Sequence, residues 1–333
     1  MCAKGVATCG KPVVTLNATR RIWTLMAQSF TDHLTGIHAA TVVPMRDDFS
    51  IDEAALKDHI AQVTSVRGIR GLLLNGHAGE NFVLSRDEKV RVVELAREVA
   101  PDLLIVSGVN HESSLEAARE GAALEAAGAD GLLVFPPNSW ALGHDDDCAV
   151  LHHEVIRDAT GVPLMLYGAP VGAGKMSYSG PLLSRLAREP RVVAIKEGSW
   201  EVAAYEENMR LLHAQRSDFK VLGSGDEHLL ACYLIGTVGS QVSLAAVVPQ
   251  LIVDLWEAAQ AQDWTRARQL HERIYPLAVA IYRDAPGGRA TARLKTCLKL
   301  LGQLGNDTLR PPQFPSTPRE TEALQRALDH ALA

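Results

Sequence analysis

The sequence predicts a (β/α)8 TIM barrel with a C-terminal helical extension, and three observations carry that expectation. Eight short apolar segments recur between residues 37 and 242, amphipathic segments fill the gaps between them, and only helical patterns follow. Strict alternation of apolar, β-branched strands with helices implies a parallel sheet covered on its outer face. Eight such units in about 210 residues fit a closed barrel, which takes about 250 residues with its loops. A doubly wound open sheet is the alternative, but no G-x-G-x-x-G follows the first strand, so the dinucleotide-binding version lacks its fingerprint.

Each element has its own signal. Residues 1–34 show no clear period, so they are expected to form an N-terminal arm that need not be ordered. Arg20 and Arg21 give a weak transit-peptide pattern there, and Met26 is an equally good start of translation. The barrel is expected over 35–245. Its strands are expected at Ile37–Val43, Gly71–Leu74, Leu103–Ser107, Gly131–Phe135, Pro163–Tyr167, Val192–Lys196, Lys220–Gly223 and Val238–Val242. Ser50-Ile51-Asp52-Glu53 is a helix-opening signature for a helix reaching about Val66. Further helices are expected at Arg86–Val99, Ser113–Ala127, Asp146–Ala159, Gly180–Arg188, Trp200–Leu212 and Glu227–Leu234. The extension, 246–333, carries four more: Leu251–Ala261, Trp264–Tyr282, Ala290–Leu301 and Pro318–Leu332, with Pro311-Pro312 breaking the run before the last.

Composition narrows the function classes. The 33 basic and 39 acidic residues give 33 − 39 = −6, and no basic block marks a nucleic-acid surface. No apolar run reaches the roughly 18 to 20 residues that span a bilayer. Five scattered cysteines with no C-x-x-C pair and no metal-ligand spacing point to a reducing, cytoplasmic setting, with Cys232 and Cys297 as core residues. No metal cluster, phosphate loop, flavin or nicotinamide signature is visible, so no cofactor is expected.

In barrels of this kind the reacting groups sit at the C-terminal ends of the strands. Strand two runs into Gly76-His77-Ala78-Gly79-Glu80, strand five ends at Tyr167-Gly168-Ala169-Pro170, and strand six ends at Lys196-Glu197-Gly198. Lys196 closes the apolar run Val192-Val193-Ala194-Ile195, so its amine should enter the barrel mouth among hydrophobic walls. Desolvation there disfavours the ammonium form and leaves an amine able to attack a ketone. A lysine paired with Glu197, or reaching solvent, is the alternative. The phenol of Tyr167, one strand away, can pass a proton to the forming intermediate, unless it is only a core tyrosine. The Gly76-His77-Ala78-Gly79 turn can converge backbone N–H groups on an anion. Ala78, Gly79, Gly168 and Val242 are the expected substrate-binding positions.

Together these residues resemble the dihydrodipicolinate synthase and N-acetylneuraminate lyase superfamily of class I aldolases, from Gly36 to the C-terminus. The family's G-T/S-T-G-E turn is similar to Gly76-His77-Ala78-Gly79-Glu80, and its L-x-x-x-E to Leu84-Ser85-Arg86-Asp87-Glu88. Its Y-N-x-P corresponds to Tyr167-Gly168-Ala169-Pro170, and its I-K-E/D-x-S to Ile195-Lys196-Glu197-Gly198-Ser199. Gly223-Ser224-Gly225-Asp226-Glu227 is similar to the S-G-D-D turn, and Arg310-Pro311-Pro312 to the late R-x-P. The resemblance implies Lys196 as the imine-forming residue on pyruvate or another small 2-oxo acid, and Tyr167 as proton carrier. It also implies that the backbone of His77 and Ala78 holds the substrate carboxylate, and that the chain forms a homotetramer, a dimer of dimers.

The departures from the family restrict function further. His77 and Ala78 stand where the synthase has a hydroxyl pair, and Pro137 and Asn138 where its paired aromatics would fall. Glycine occupies the position of the arginine that would grip aspartate semialdehyde, and the nearby Lys175 does not replace a bidentate arginine. Lysine biosynthesis is therefore not expected. Three readings stay open: an aldolase-type lyase, a dehydratase or deaminase of a sugar-acid or hydroxyproline-derived 2-oxo acid using the same imine, and a barrel that binds 2-oxo acids without turnover. The side chain of His77 either titrates near neutral pH and replaces the missing relay, or offers only its backbone N–H.

Overall fold

Short runs without internal proline make eight strands, β1 (Gly36–Ala40), β2 (Ile69–Leu74), β3 (Leu104–Val109), β4 (Gly131–Val134), β5 (Leu164–Gly168), β6 (Val192–Glu197), β7 (Lys220–Gly223) and β8 (Gly239–Val242). Each pairs in parallel with the next, and β1 closes on β8 with His38 opposite Gln241, so the sheet has no free edge. The computed structural model describes residues 29–284 and 286–333. Helices α2 (Glu53–Thr64), α3 (Arg86–Val99), α4 (Ser114–Ala126), α5 (Asp146–Ala159), α6 (Gly180–Leu186), α7 (Val202–Gln215) and α8 (Leu229–Ile235) join consecutive strands. Short helix α9 (Leu244–Val247) follows β8, and α10 (Pro249–Gln260), α11 (Trp264–Ala278), α12 (Ala290–Leu300) and α13 (Pro318–Leu332) form the extension.

Local chemistry sets the helix ends. Asp52 accepts from the Ala55 N–H at 3.1 Å, and Ser85 with Glu88 and Thr317 with Glu320 form reciprocal capping boxes. Two expected helices begin later than the sequence suggests. Trp200 has φ 62°, a left-handed backbone incompatible with a helix, so α7 starts at Val202. Residues Asp226–His228 form a 3-10 turn before α8. The expected Trp264–Tyr282 helix contains Pro276, which removes one backbone donor, and the α-helix gives way to a π turn at Val279–Arg283.

The two faces of the barrel bury different residues. Leu73, Val106, Leu133, Met165, Val193 and Leu222 fill the interior, while Leu72, Ile105, Leu132, Leu164, Ile195 and Val221 pack in the main core with the helices. Residues 29–33 form helix α1, although they fall in the expected arm. Phe30 and Leu34 are buried in the interior cluster, and a Cβ on Gly131 would come within 2.5 Å of the Phe30 ring. The rest of the arm, residues 1–28, lies outside the described residues. Cys232 and Cys297 are buried, and burial pushes both thiols up to about 12, consistent with core positions. Cys148 is exposed, and Cys2 and Cys9 lie outside the described residues.

Candidate active site

The carboxyl ends of the strands open into a cavity of about 490 Å³. Lys196, the fifth of six residues in β6, points its amine there from between Tyr167 on β5 and Leu222 on β7, its register partners. It is buried, and its Nζ lies 5.9 Å from the centroid of the Tyr167 ring. Desolvation lowers its pKa to about 8, against the opposing pull of Asp226. Glu197 is not its counter-ion. That carboxylate accepts from the Ser199 N–H at 2.9 Å and the Asn208 amide at 3.0 Å, and burial raises its pKa. Among the described residues no carboxylate lies within ion-pair distance of Lys196.

Tyr167 is buried, and its phenol is pushed above the ordinary tyrosine range by burial and then by the Glu197 charge. It therefore carries its proton across the physiological range. Asp226 accepts from the Leu244 N–H at 2.8 Å and the Tyr282 hydroxyl at 3.1 Å, and burial raises its pKa. It lines the cavity with Ser224 and Ser243.

The turn after β2 is a single 3-10 turn, His77–Gly79, whose first backbone bond runs from the Gly79 N–H to the Gly76 carbonyl at 3.0 Å. In such a turn the first N–H groups, here those of His77 and Ala78, have no partner within the helix. The turn is tied down from the far end of the chain. Thr291 on α12 donates its hydroxyl to the His77 carbonyl at 3.0 Å, and the buried Lys295 pairs with the buried Glu80, whose other oxygen accepts the Arg310 N–H at 3.1 Å. The Arg310 guanidinium also forks onto Glu88 at 2.7 and 2.9 Å. The Glu80, Glu88 and Arg310 signatures thus join one another rather than the cavity.

The His77 ring stacks on Phe82 at 4.8 Å and Phe135 at 4.5 Å and meets Tyr167 edge-on at 5.3 Å. The residue keeps solvent access, but its ring lies among three aromatic side chains. Desolvation, and then the Lys196 charge, lower its pKa. The imidazole is therefore neutral near pH 7, which speaks against the reading in which the side chain titrates there and leaves the one in which only the backbone N–H is offered.

His77, Ala78, Tyr167 and Lys196 come together in the cavity wall, whereas Gly79, Gly168 and Val242 do not line it. Gly168 faces Glu197, whose Oε2 would lie 3.1 Å from a Cβ there, and Val242 is buried beside Ala39 of β1. Lys175 is also absent from the wall; its carbonyl accepts from His144 at 2.8 Å. Asn138, in the position of a missing family aromatic, gives its N–H to Glu112 at 2.9 Å. Sequence reasoning missed Trp200, Tyr282, Thr291 and Gln313, all lining residues. Three of them come from the extension, where no strand-end rule points to them.

A closed parallel barrel with ionisable groups gathered at the carboxyl ends of its strands belongs to the barrel enzymes. Within that class the chain belongs to the dihydrodipicolinate synthetase family, whose family model matches residues 33–331. It is an enzyme family of lyases and synthases. The 4-hydroxy-tetrahydrodipicolinate synthase of Nitrobacter hamburgensis is 30% identical over 89% of this chain and 96% of its own. That of Acidiphilium cryptum is 31% identical over 88% of this chain and 96% of its own. Among solved structures, dihydrodipicolinate synthase from Agrobacterium tumefaciens has a TM-score of 0.82 at 24% identity, covering 91% of this chain and 99% of its own. A prophage protein of the same family from E. coli K12, solved in complex with pyruvate, also reaches 0.82 at 22% identity, over 90% and 99%. At these identities the structural likeness speaks for the fold.

Proposed function

We propose that the chain is a Schiff-base lyase of the aldolase type, acting on pyruvate or another small 2-oxo acid through Lys196. The observation that carries this reading is a buried strand-end amine, without an ion-pair partner among the described residues, whose pKa is lowered to about 8. At pH 7 about one such amine in ten is neutral, against about one in three thousand at the ordinary value near 10.5. The neutral amine attacks the keto carbon, and the carbonyl oxygen takes up two protons and leaves as water. The iminium withdraws electrons, carbon 3 loses a proton, and the resulting enamine makes a carbon–carbon bond; the reverse sequence breaks one. Tyr167 carries the protons, and the N–H groups of His77 and Ala78 hold the carboxylate. The scheme requires no metal or organic cofactor.

Aspartate semialdehyde is not the second substrate in this reading, because among the described lining residues Lys196 is the only lysine or arginine. Asp226 favours a second outcome of the same imine. A buried carboxyl with a raised pKa can hold a proton and give it to a departing hydroxyl, as a dehydratase or deaminase requires. A homotetramer and a cytoplasmic location belong to the same proposal. Among the described residues no helix is long and apolar enough to cross a membrane.

The test is reduction with borohydride in the presence of pyruvate, followed by peptide mass analysis. A three-carbon adduct is expected on Lys196. A tag on Lys175 instead, or none with any 2-oxo acid, would overturn the assignment, and product analysis separates bond cleavage from loss of water or ammonia.

A further inference from the structure

We infer that the aldehyde partner of the proposed lyase is an uncharged molecule with a flat, apolar body the size of an aromatic ring. The inference rests on the Schiff-base reading above and concerns the part of the same cavity that lies beyond the reacting lysine.

Polarity in the cavity is segregated. Lys196, Tyr167, Ser224, Asp226 and Ser243 are grouped by the strand ends of β5 to β8, whereas Phe82, Met176, Trp200, Tyr282 and Leu294 come from loops and the extension. Trp200 and Tyr282 form a tilted pair, their ring centroids 5.5 Å apart at 50°. The Tyr282 hydroxyl is turned onto Asp226, so its polar tip is already satisfied and its ring is left as wall. With the His77 ring held neutral, the acid and base left in this wall among the described residues are Lys196, consumed by the imine, and the carboxyl of Asp226. A second substrate carboxylate would meet an acid rather than a cation, in a setting where an unpaired charge is costly.

Trp200 is held where it is at a cost. Its φ of 62° is a conformation that bulky side chains rarely adopt, worth about 1–3 kcal/mol of strain in general. The Trp200 ring packs against Gly225, itself at φ 83°, where a Cβ would come within 3.5 Å of the indole and 2.7 Å of the Tyr205 hydroxyl. A strained aromatic three residues after the reacting strand thus lines the cavity. Gln313 adds a neutral amide whose oxygen has no partner among the described residues, which suits a ring hydroxyl.

In the condensing direction the enamine carbon bonds to the aldehyde carbon. The aldehyde π pair moves to its oxygen, which takes the Tyr167 proton. Water then hydrolyses the iminium, freeing the Lys196 amine and a 4-hydroxy-2-oxo acid, and solvent returns the proton to Tyr167.

The full-length protein is first reduced with borohydride and pyruvate, which reads the imine alone. It is then given pyruvate with benzaldehyde, 4-hydroxybenzaldehyde, glyceraldehyde or succinic semialdehyde, and the carbon–carbon product is followed by mass. The expected result is a kcat/KM for the aromatic aldehydes at least about tenfold above that for succinic semialdehyde. Trp200→Ala should erase about tenfold of it relative to imine formation in the same preparation, with Trp200→Phe retaining most. Met176→Arg should move the preference toward the charged aldehyde. If Lys196 is trapped but the semialdehyde is preferred, or no aldehyde reacts, the inference fails while the imine stands. Absence of the trap removes the Schiff-base reading itself, and this inference with it.

Discussion

At the scale of single residues, the site turns on which groups hold protons near neutrality. In the proposed reaction Lys196 must be neutral to attack, so kcat/KM should rise with pH and level off above about 8, the value to which burial lowers it. Asp226 holds that pKa up, so Asp226→Asn should move the limb to lower pH, and a shift the other way would count against the coupling. His77 is already neutral at pH 7, because aromatic crowding and the Lys196 charge disfavour its protonation. His77→Gln should therefore leave the position of the limb unchanged while Lys196 can still be trapped. Loss of a limb near pH 6 to 7 would put the ring back into proton transfer. Lys196, Tyr167 and the His77 turn were legible in the sequence because strand ends are marked by a change from apolar to polar residues. The state of the His77 ring was not. It depends on Phe82, Phe135 and Tyr167 arriving from three different strand ends.

At the scale of elements, the link between α12 and the turn after β2 matters most. Lys295 and Glu80 are each 1% exposed in their side chains, so removing one charge strands the other. Lys295→Met should cost about 3–5 kcal/mol of stability, read as a lower midpoint in urea unfolding, and adding Glu80→Gln should recover part of it. Equal stability of wild type and single variant would show that the pair carries no net weight. Helical periodicity made α12 legible as a helix between 290 and 301, but its apolar pattern could not show that Thr291 and Lys295 reach a loop more than two hundred residues away. The start of α7 was misread for a related reason. Trp200 looks like an ordinary first helical residue, but its backbone is left-handed and its ring packs against Gly225, neither of which the local sequence signals.

At the scale of the whole molecule, the eight-fold alternation was legible throughout because each strand is apolar and each helix amphipathic, a pattern that tolerates boundary shifts of a few residues. The arm was legible only as an absence of period, which hid the role of Phe30 and Leu34 inside the barrel. A chain starting at Met26 should fold and assemble like the full one. A chain starting at Thr35 should lose about 3–5 kcal/mol for Phe30 alone, read by thermal unfolding. Insolubility of the first chain would assign a structural role to the residues before Met26. The hydroxyl of Thr291 on the His77 carbonyl, bridging 214 positions, also sets the order in which the cavity wall is completed. While the chain is being synthesised, all eight strands emerge before α12 does, so a ribosome-bound barrel has Lys196 in place before the turn after β2 has its brace.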